Sequence, residues 1–317
     1  MKPFNVFPYD SSFDFMRLRM ASLTIAAIIM FVAIGAMAVK QFNLALDFTG
    51  GVGIELRYEK PVDVEAVRGK LAKAGYDNAQ VQTFGNGREL LVRLQPKEEQ
   101  GKAGTVASIA QNVRELASFS ENSAELHSSA EISPQIGKEL AENGIYALLF
   151  VVLGFLIYIS FRFEWKFAVA AIITTLHDVV VVAGWFALTG HEFDLTVLAG
   201  LLSVMGYSIN DTIVVFDRVR ENFRGMRASP AEVLNKSINQ TLSRTVITSF
   251  VAFLTVLALY LYGGGSLKGM AESQMLGIII GTLSSIFVAC PLLLWLGVSK
   301  QDLMPKARDE AELARRP

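Results

Sequence analysis

The feature that most limits what this chain can fold into is a series of long apolar runs separated by short charged stretches. Each run extends for roughly 17–25 residues with almost no Asp, Glu, Lys or Arg, the length a helix needs to cross a bilayer. Lipid offers the backbone no hydrogen-bond partners, so runs of this length become helices. A soluble domain carries about 25% charged residues. Of the 317 residues here, 19% are charged and 52% are hydrophobic, and the mean hydropathy is +0.39. A single soluble enzyme domain, a disordered chain and a disulfide scaffold are thereby excluded. Cys290 is the single cysteine; no intrachain disulfide can form, and within an apolar run it reads as a small buried residue. His127, His177 and His191 lie too far apart in sequence to build a metal cluster with it. No metal and no cofactor is expected.

Charged residues bound six spans, at 20–39, 143–161, 167–188, 195–216, 242–262 and 273–296. They leave an N-terminal segment (1–19), an extramembrane domain (40–142), a loop (217–241) and a tail (297–317). The first run admits a second reading. Lys2, Arg17 and Arg19 precede it, and Ala36-Met37-Ala38 resembles a signal-peptidase site. The run exceeds the roughly 7–15 apolar residues of a signal peptide, so an uncleaved anchor is expected. Lys and Arg in short loops mark the cytoplasmic side. They gather before the first span, at Arg162 and Lys166, from Arg218 to Lys236, and from Lys300 to Arg316, whereas the opposite short loops hold only Lys268. Both termini are expected in the cytoplasm and residues 40–142 in the periplasm.

That domain reads as α+β. Val52 to Tyr58 alternates apolar and polar residues like a half-buried strand. Val64, Val67 and Leu71 share a helical face. Ala79–Phe84 and Glu89–Leu94 flank Gly85-Asn86-Gly87, a hairpin signal. Thr105–Phe119 reads as a second helix and Ala124–Ile132 as a last strand. The order βαββαβ is the ferredoxin-like pattern. Its carboxylates alternate with basic residues, as on a solvated face. Asp47-Phe48-Thr49-Gly50-Gly51 reads as a turn joining the first span to the sheet, with a binding loop as the alternative.

The spans hold ionisable residues that need explaining, because such a group costs about 2.5–3.5 kcal/mol in a bilayer and commonly marks an ion or proton pathway. Asp211 lies in the fourth span, about 8 Å from its cytoplasmic end at 1.5 Å per residue. Gly200, Val204, Tyr207, Ser208 and Asp211 share one face, a small and polar stripe suited to close packing; Asn210 adjoins it. Arg244, just inside the fifth span, falls at similar depth and shares a face with Thr241 and Thr248. Its guanidinium either reaches Asp211 or snorkels to the interface. Asp178 lies near the middle of the third span, on one face with Thr174 and Thr175. It is either functional or a protonated carboxyl bonded for packing. His177 points about 100° away from that face, either titrating near neutrality or bonded to a carbonyl. A carboxyl at such depth can bind and release a proton, and an arginine that approaches or leaves changes its affinity. The membrane field supplies about 2.3 kcal/mol per charge per 100 mV.

The remaining features read simply. Gly277 and Gly281 form a GxxxG helix contact. Gly263-Gly264-Gly265-Ser266 is a turn, not a phosphate loop. The Arg218–Arg227 cluster has the charge to bind anionic lipid or RNA, but the interspersed Asp217 and Glu221 and the positive-inside rule make orientation its main explanation; membrane lipid is an expected partner and nucleic acid is not. No nucleophile–base pair or nucleotide motif is visible, so an enzyme is not expected.

These residues resemble the SecF family of protein-export membrane proteins. Gly206 to Asn222, GYSINDTIVVFDRVREN, is similar to its signature. Phe13-Asp14-Phe15-Met16, Leu46-Asp47-Phe48-Thr49-Gly50-Gly51, Leu176-His177-Asp178 and Asn239-Gln240-Thr241-Leu242-Ser243-Arg244-Thr245 resemble its other motifs. The likeness covers nearly the whole chain. Ser133 departs from it, since the family often carries Gly before that Pro. The resemblance implies a polytopic helical protein of the resistance-nodulation-division superfamily in the bacterial inner membrane. It implies half of a twelve-span unit completed by SecD, which joins the SecYEG channel, often with YajC, and uses the proton gradient to assist late translocation of secretory polypeptides. Asp211 and Arg244 would form this half's proton relay and Asp178 a second carboxyl, with Tyr207, Ser208, Asn210, Thr174, Thr241 and Thr248 in support. Half of a proton-driven lipid or drug exporter, and a subunit that only stabilises SecD, are the alternatives.

Overall fold

The computed structural model describes residues 12–76, 79–84, 87–94 and 106–303. A short 3-10 turn leads into α1 (Arg19–Lys40), followed by β1 (Asn43–Leu44) and the single turn α2 (Leu46–Thr49). The extramembrane domain comprises β2 (Gly51–Arg57), α3 (Val64–Lys73), β3 (Gln80–Phe84), β4 (Glu89–Leu94), α4 (Val106–Ala117) and β5 (Glu125–Ile132). The chain then forms α5 (Pro134–Arg162), α6 (Trp165–Thr189), β6 (Glu192–Phe193), α7 (Leu195–Gly225), α8 (Pro230–Tyr262) and α9 (Gly265–Ser284). A π-helical turn, Ser285–Ala289, carries α9 into α10 (Cys290–Trp295). Among the described residues, six helical segments are long and apolar enough to cross a membrane: α1, α5, α6, α7, α8 and the α9–α10 unit.

Several helices outrun their apolar cores. The segment 217–241, read from its charges as a loop, is helical except at 226–229, because α7 runs to Gly225 and α8 starts at Pro230. Charge marks where the apolar layer ends, whereas caps mark where a helix ends. At the start of α8, Ser229 and Glu232 form a reciprocal capping box with Pro230 in the first turn, which satisfies the orphan amide donors. Likewise α5 begins at Pro134, where Ser133 accepts a hydrogen bond from Ile136 N. Residues 134–142, assigned to the domain from sequence, are therefore the first turns of this helix.

The domain has the ferredoxin-like arrangement. Its four strands are ordered β3-β4-β2-β5, and every neighbouring pair is antiparallel. Alternation on β2 and β4 turns Val52, Ile54, Leu56, Leu90, Val92 and Leu94 inward against Val67 and Leu71 of α3 and Ala110, Val113 and Ala117 of α4. Gly51 has φ +135°, and a Cβ there would lie 2.5 Å from Leu94 O, so glycine lets the sheet start where it does. Tyr58 is buried with its hydroxyl on Ala117 O at 3.1 Å, and burial pushes its pKa up to about 12. Gly85 and Asn86 of the expected hairpin, and Thr105 of the expected second helix, lie outside the described residues.

Within the helical bundle, α6, α7 and α9 form the interior, while α1, α5 and α8 turn large apolar faces outward, among them Phe31, Phe150 and Phe250. The spacing of small residues explains the seam of α7 with α9. Gly200 faces Ser273, Val204 faces Gly277 and Ser208 faces Gly281, a repeat of about one helical turn that lets two backbones approach. A Cβ on Gly277 would land on Val204 Cγ2. Gly184 of α6 receives Ala33 of α1 in the same way. At the end of the bundle remote from the domain, Met16, Phe163, Phe167, Phe216, Phe223 and Leu234 form an apolar plug. The N-terminal segment is stitched beside it: Phe13 N donates to Asn239 Oδ1 at 3.1 Å and Met16 N to Asn235 Oδ1 at 2.9 Å.

The domain is tied to the start of α7. β1 pairs in parallel with β6, and Asp47 Oδ2 accepts from Leu195 N at 3.2 Å. Asp194 caps α7, accepting from Val197 N at 2.8 Å. Arg93 of β4 forms an ion pair with Glu192. Burial pulls the Arg93 guanidinium below the usual arginine range, while Asp194 and Asp47 push it back up. The Asp47–Gly51 stretch thus joins the sheet to the membrane bundle.

Two outcomes follow from this packing. Gly277→Leu lowers stability in detergent by about 1–3 kcal/mol through overpacking, whereas Gly154→Leu, whose added carbon meets nothing within 4 Å, leaves the melting temperature unchanged. Arg93→Ala leaves the half-buried Glu192 without its partner and accelerates amide hydrogen exchange in β1, β6 and the first turn of α7. Arg57→Ala, which removes the exposed Arg57–Glu89 pair, has no measurable effect there.

Candidate functional site

The seams of α7 with α6, α8 and α9 enclose two carboxyl groups. Asp178, with no exposed surface, is held by three helices at once. Ser208 of α7 and Ser284 of α9 each donate to its Oδ2 at 2.6 Å, and His177 Nδ1 lies 2.9 Å from its Oδ1. Gly281 permits this convergence, because a Cβ there would stand 3.3 Å from Ser208 Cβ and 3.6 Å from Asp178 Oδ2. The π-helical turn begins directly after Ser284, and such turns re-aim side chains within a helix. His177, placed off the Asp178 face by helical geometry, is nonetheless buried and folds its ring onto the neighbouring carboxyl. Its Nε2 has no partner among the described residues, nor do the buried hydroxyls of Thr175, Thr212 and Thr245. Thr174 returns its hydroxyl to Ala170 O at 2.8 Å.

Asp211 lies one turn further along α7, on the same face as Ser208, and is 4% exposed. Ser249 of α8 donates to its Oδ2 at 3.4 Å. Ser249 Oγ in turn accepts from Tyr207 Oη at 2.8 Å and stands 2.7 Å from Thr282 Oγ1 of α9. Three helices therefore meet at one serine hydroxyl. Above it, toward the domain, a cavity of about 280 Å³ lies between α7, α8 and α9.

Arg244 stands outside this cluster. It is exposed, close enough to attract the Asp211 carboxylate electrostatically, but forms no ion pair with it within 4.0 Å. The reason is angular. Ser249 faces Asp211, and Arg244, five residues earlier, points about 140° away around the helix. Asn210 and Thr248 are also exposed; the Thr248 hydroxyl bonds Arg244 O at 2.9 Å. Thr241 is buried, with its hydroxyl on Ser237 O at 3.0 Å. The structure thus joins Asp211 to Tyr207 and Asp178 to Ser208, and separates both from Arg244, Asn210, Thr241 and Thr248. Ser249, Thr282 and Ser284 were not singled out from sequence; in apolar helices they look like any other small polar residue.

The arrangement offers proton chemistry. A carboxyl sealed in an apolar bundle and linked to hydroxyls can take up and release a proton without a large solvent rearrangement. Among the described residues no group of three or more His, Cys, Asp or Glu could hold a metal ion.

Comparison with known proteins agrees along the chain. The family model described as protein export membrane protein SecD/SecF, C-terminal, matches residues 112–299, and the SecD/SecF GG motif matches residues 35–62. The protein translocase subunit SecF of Pseudomonas aeruginosa is 43% identical over 94% of this chain and 96% of its own length. That of Vibrio alginolyticus is 41% identical over 95% of each chain. The crystal structure of SecDF, a translocon-associated membrane protein from Thermus thermophilus, superposes with TM-score 0.81 and 39% identity over 93% of this chain. SecDF in a super-membrane-facing form gives TM-score 0.67 and 36% identity over 99% of it. This chain spans 40% and 41% of those two SecDF chains. With two family models, near-full-length relatives and the shared fold in agreement, the chain belongs to the SecF family of protein translocase subunits, within the SecD/SecF group of protein-export membrane proteins.

Proposed function

We propose that this chain is the SecF subunit of a SecD–SecF complex, using the proton motive force to assist late steps of polypeptide translocation through the SecYEG channel, with YajC as a further associate. The observation that carries this reading is Asp211, a carboxyl buried in the seam of α7, α8 and α9 and bound to one neutral hydroxyl, that of Ser249, rather than to a cation. Unlike Asp178, which two short hydroxyl bonds hold, Asp211 accepts one long bond. A carboxyl left so can change its protonation as the helices shift.

SecD is the partner we assign to the outward faces of α7 and α8. Arg244, Asn210 and Thr248 are exposed within spans otherwise fit for lipid, and leaving a charge there costs about 2.5–3.5 kcal/mol. A second six-span subunit that covers this face would remove the cost and bring Arg244 against its own polar groups. The length of the SecDF chains, of which this chain matches about two fifths, supports such a partner. The Lys and Arg distribution supports both termini in the cytoplasm and the ferredoxin-like domain in the periplasm of a bacterial inner membrane. There the domain would face emerging secretory polypeptides, and lipid would meet α1 and α5.

The two carboxyls are assigned different work, and their variants should separate. Asp211→Asn keeps the shape and the fold, and slows periplasmic release of a pulse-labelled secretory protein to the rate of SecF-depleted cells, with protein level and SecD association unchanged. Normal release would leave the chain a stabilising subunit of SecD. Asp178→Ala strands the hydroxyls of Ser208 and Ser284 and the His177 ring in the core. It lowers stability by about 3 kcal/mol or more, read as loss of the folded subunit before any effect on export is measured.

A further inference from the structure

We infer that Tyr207 and Ser249 deliver protons to Asp211 from the domain side, and that the cavity above them is the aqueous approach. This rests on the reading of Asp211 as the proton carrier.

The cavity is a groove open at the bundle surface, lined by Ser203, Tyr207, Thr255 and Gln274 together with four apolar residues, with Ser203 and Thr255 exposed at its mouth. Its place follows from helix direction. On α7 and α9, which run away from the domain, Ser203 and Gln274 precede Asp211 and Thr282. On α8, which runs toward the domain, Thr255 follows Ser249. All three helices therefore put the cavity between the Asp211 cluster and the domain end of the bundle. Below the cluster, by contrast, the Phe163–Phe167–Phe216 plug closes the core.

The volume of about 280 Å³ accommodates about nine waters at ~30 Å³ each. The Gln274 side chain makes no hydrogen bond to another described residue. An amide within an apolar span is costly unless solvated, which favours water over an acyl chain in this space. Tyr207 alone belongs to both the cavity wall and the hydrogen-bonded chain. The other charged or titratable groups on the middle and domain-side turns of the helices around it are His177 and Asp178 of α6, Arg244, Tyr260 and Tyr262 of α8, and Lys268 and Glu272 of α9; Lys268 lies over the Tyr260 ring and Glu272 is paired with His191.

The transfer balances without any further reactant than a hydronium in the cavity. As that ion gives a proton to Tyr207 Oη and reverts to water, the Tyr207 O–H proton moves to Ser249 Oγ, and the Ser249 O–H proton moves to Asp211 Oδ2. At each hydroxyl oxygen one O–H bond forms and one breaks. The carboxylate ends neutral, and the two hydroxyls rotate back to their starting direction. Tyr207 and Ser249 are thus positioning residues in a relay, neither gaining nor losing a proton overall.

Two measurements on the chain assembled with its SecD partner in cells test this. First, Ser203→Cys and Thr255→Cys are treated from the periplasmic side with a charged, membrane-impermeant methanethiosulfonate; the native Cys290 is buried. Both should react at least about tenfold faster than Phe250→Cys on the outer face of α8. Equal, slow labelling would mean an acyl-filled groove and overturn the inference. Second, Tyr207→Phe removes only the hydroxyl and should slow gradient-driven export by roughly tenfold or more, the low end of what a positioned proton-transfer group contributes. The deficit should narrow as the external pH is lowered, which a packing defect would not do. If Asp211→Asn blocks export while Tyr207→Phe matches the parent at every pH, the relay is refuted and the Asp211 reading stands. If Asp211→Asn also exports normally, both fall.

Discussion

The close approach of α7 to α9 is the contact on which the rest of this structure depends. It exists because Gly200, Gly277 and Gly281 leave no side chain between the two backbones. Everything polar in the core is a consequence. Once α9 lies against α7, Ser284 reaches Asp178 and Thr282 reaches Ser249, and α8 closes the third side. Without hydrophobic drive between helices in lipid, packing and interhelical hydrogen bonds must hold the bundle, and here the two coincide at the same turns of α7. Asp178 is the rigid member, with hydroxyl donors from α7 and α9 and the His177 ring against its other oxygen. Asp211 is the loosely held one, with a single long hydrogen bond and a hydroxyl chain beside it. That difference suits one carboxyl to structure and the other to proton exchange.

The same helix also meets the domain. Asp47 and Asp194 sit at the first turn of α7, where the unpaired amides and the positive end of the helix dipole favour negative charge, and Arg93 of the domain lies among them. A change in the tilt of α7 at Asp211 would therefore be felt at the domain, about four and a half turns away. One continuous helix, α7, spans both places.

Much of this was legible in the chain. Span positions follow from length and charge, since a bilayer rewards nothing else so strongly. The ferredoxin-like domain follows from the period of its apolar residues, and its strand pairing adds only order. Which spans lie inside the bundle was not legible. The spans of α6 and α8 have the same mean hydropathy of 2.0, yet 61% of one and 11% of the other is buried; lipid and protein interior are equally apolar, so hydropathy cannot distinguish them. Charged site residues announce themselves by their cost, which is why Asp178 and Asp211 stood out. Their partners do not, because a serine pays almost no penalty in a helix that can take its hydroxyl back to the preceding turn. Depth matching paired Arg244 with Asp211, but azimuth decides contact, and a turn of about 140° placed Ser249 there instead.

The claim at the centre of this account is that Asp211 changes protonation within the bundle. Difference infrared spectroscopy of the purified complex between acidic and alkaline buffer tests it directly, through the carbonyl stretch of a protonated carboxylic acid in an apolar environment. The account predicts such a band, appearing with acid, insensitive to Asp178→Asn and absent in Asp211→Asn. A spectrum without a titrating carboxylic-acid band, or one whose band persists unchanged in Asp211→Asn, would contradict it.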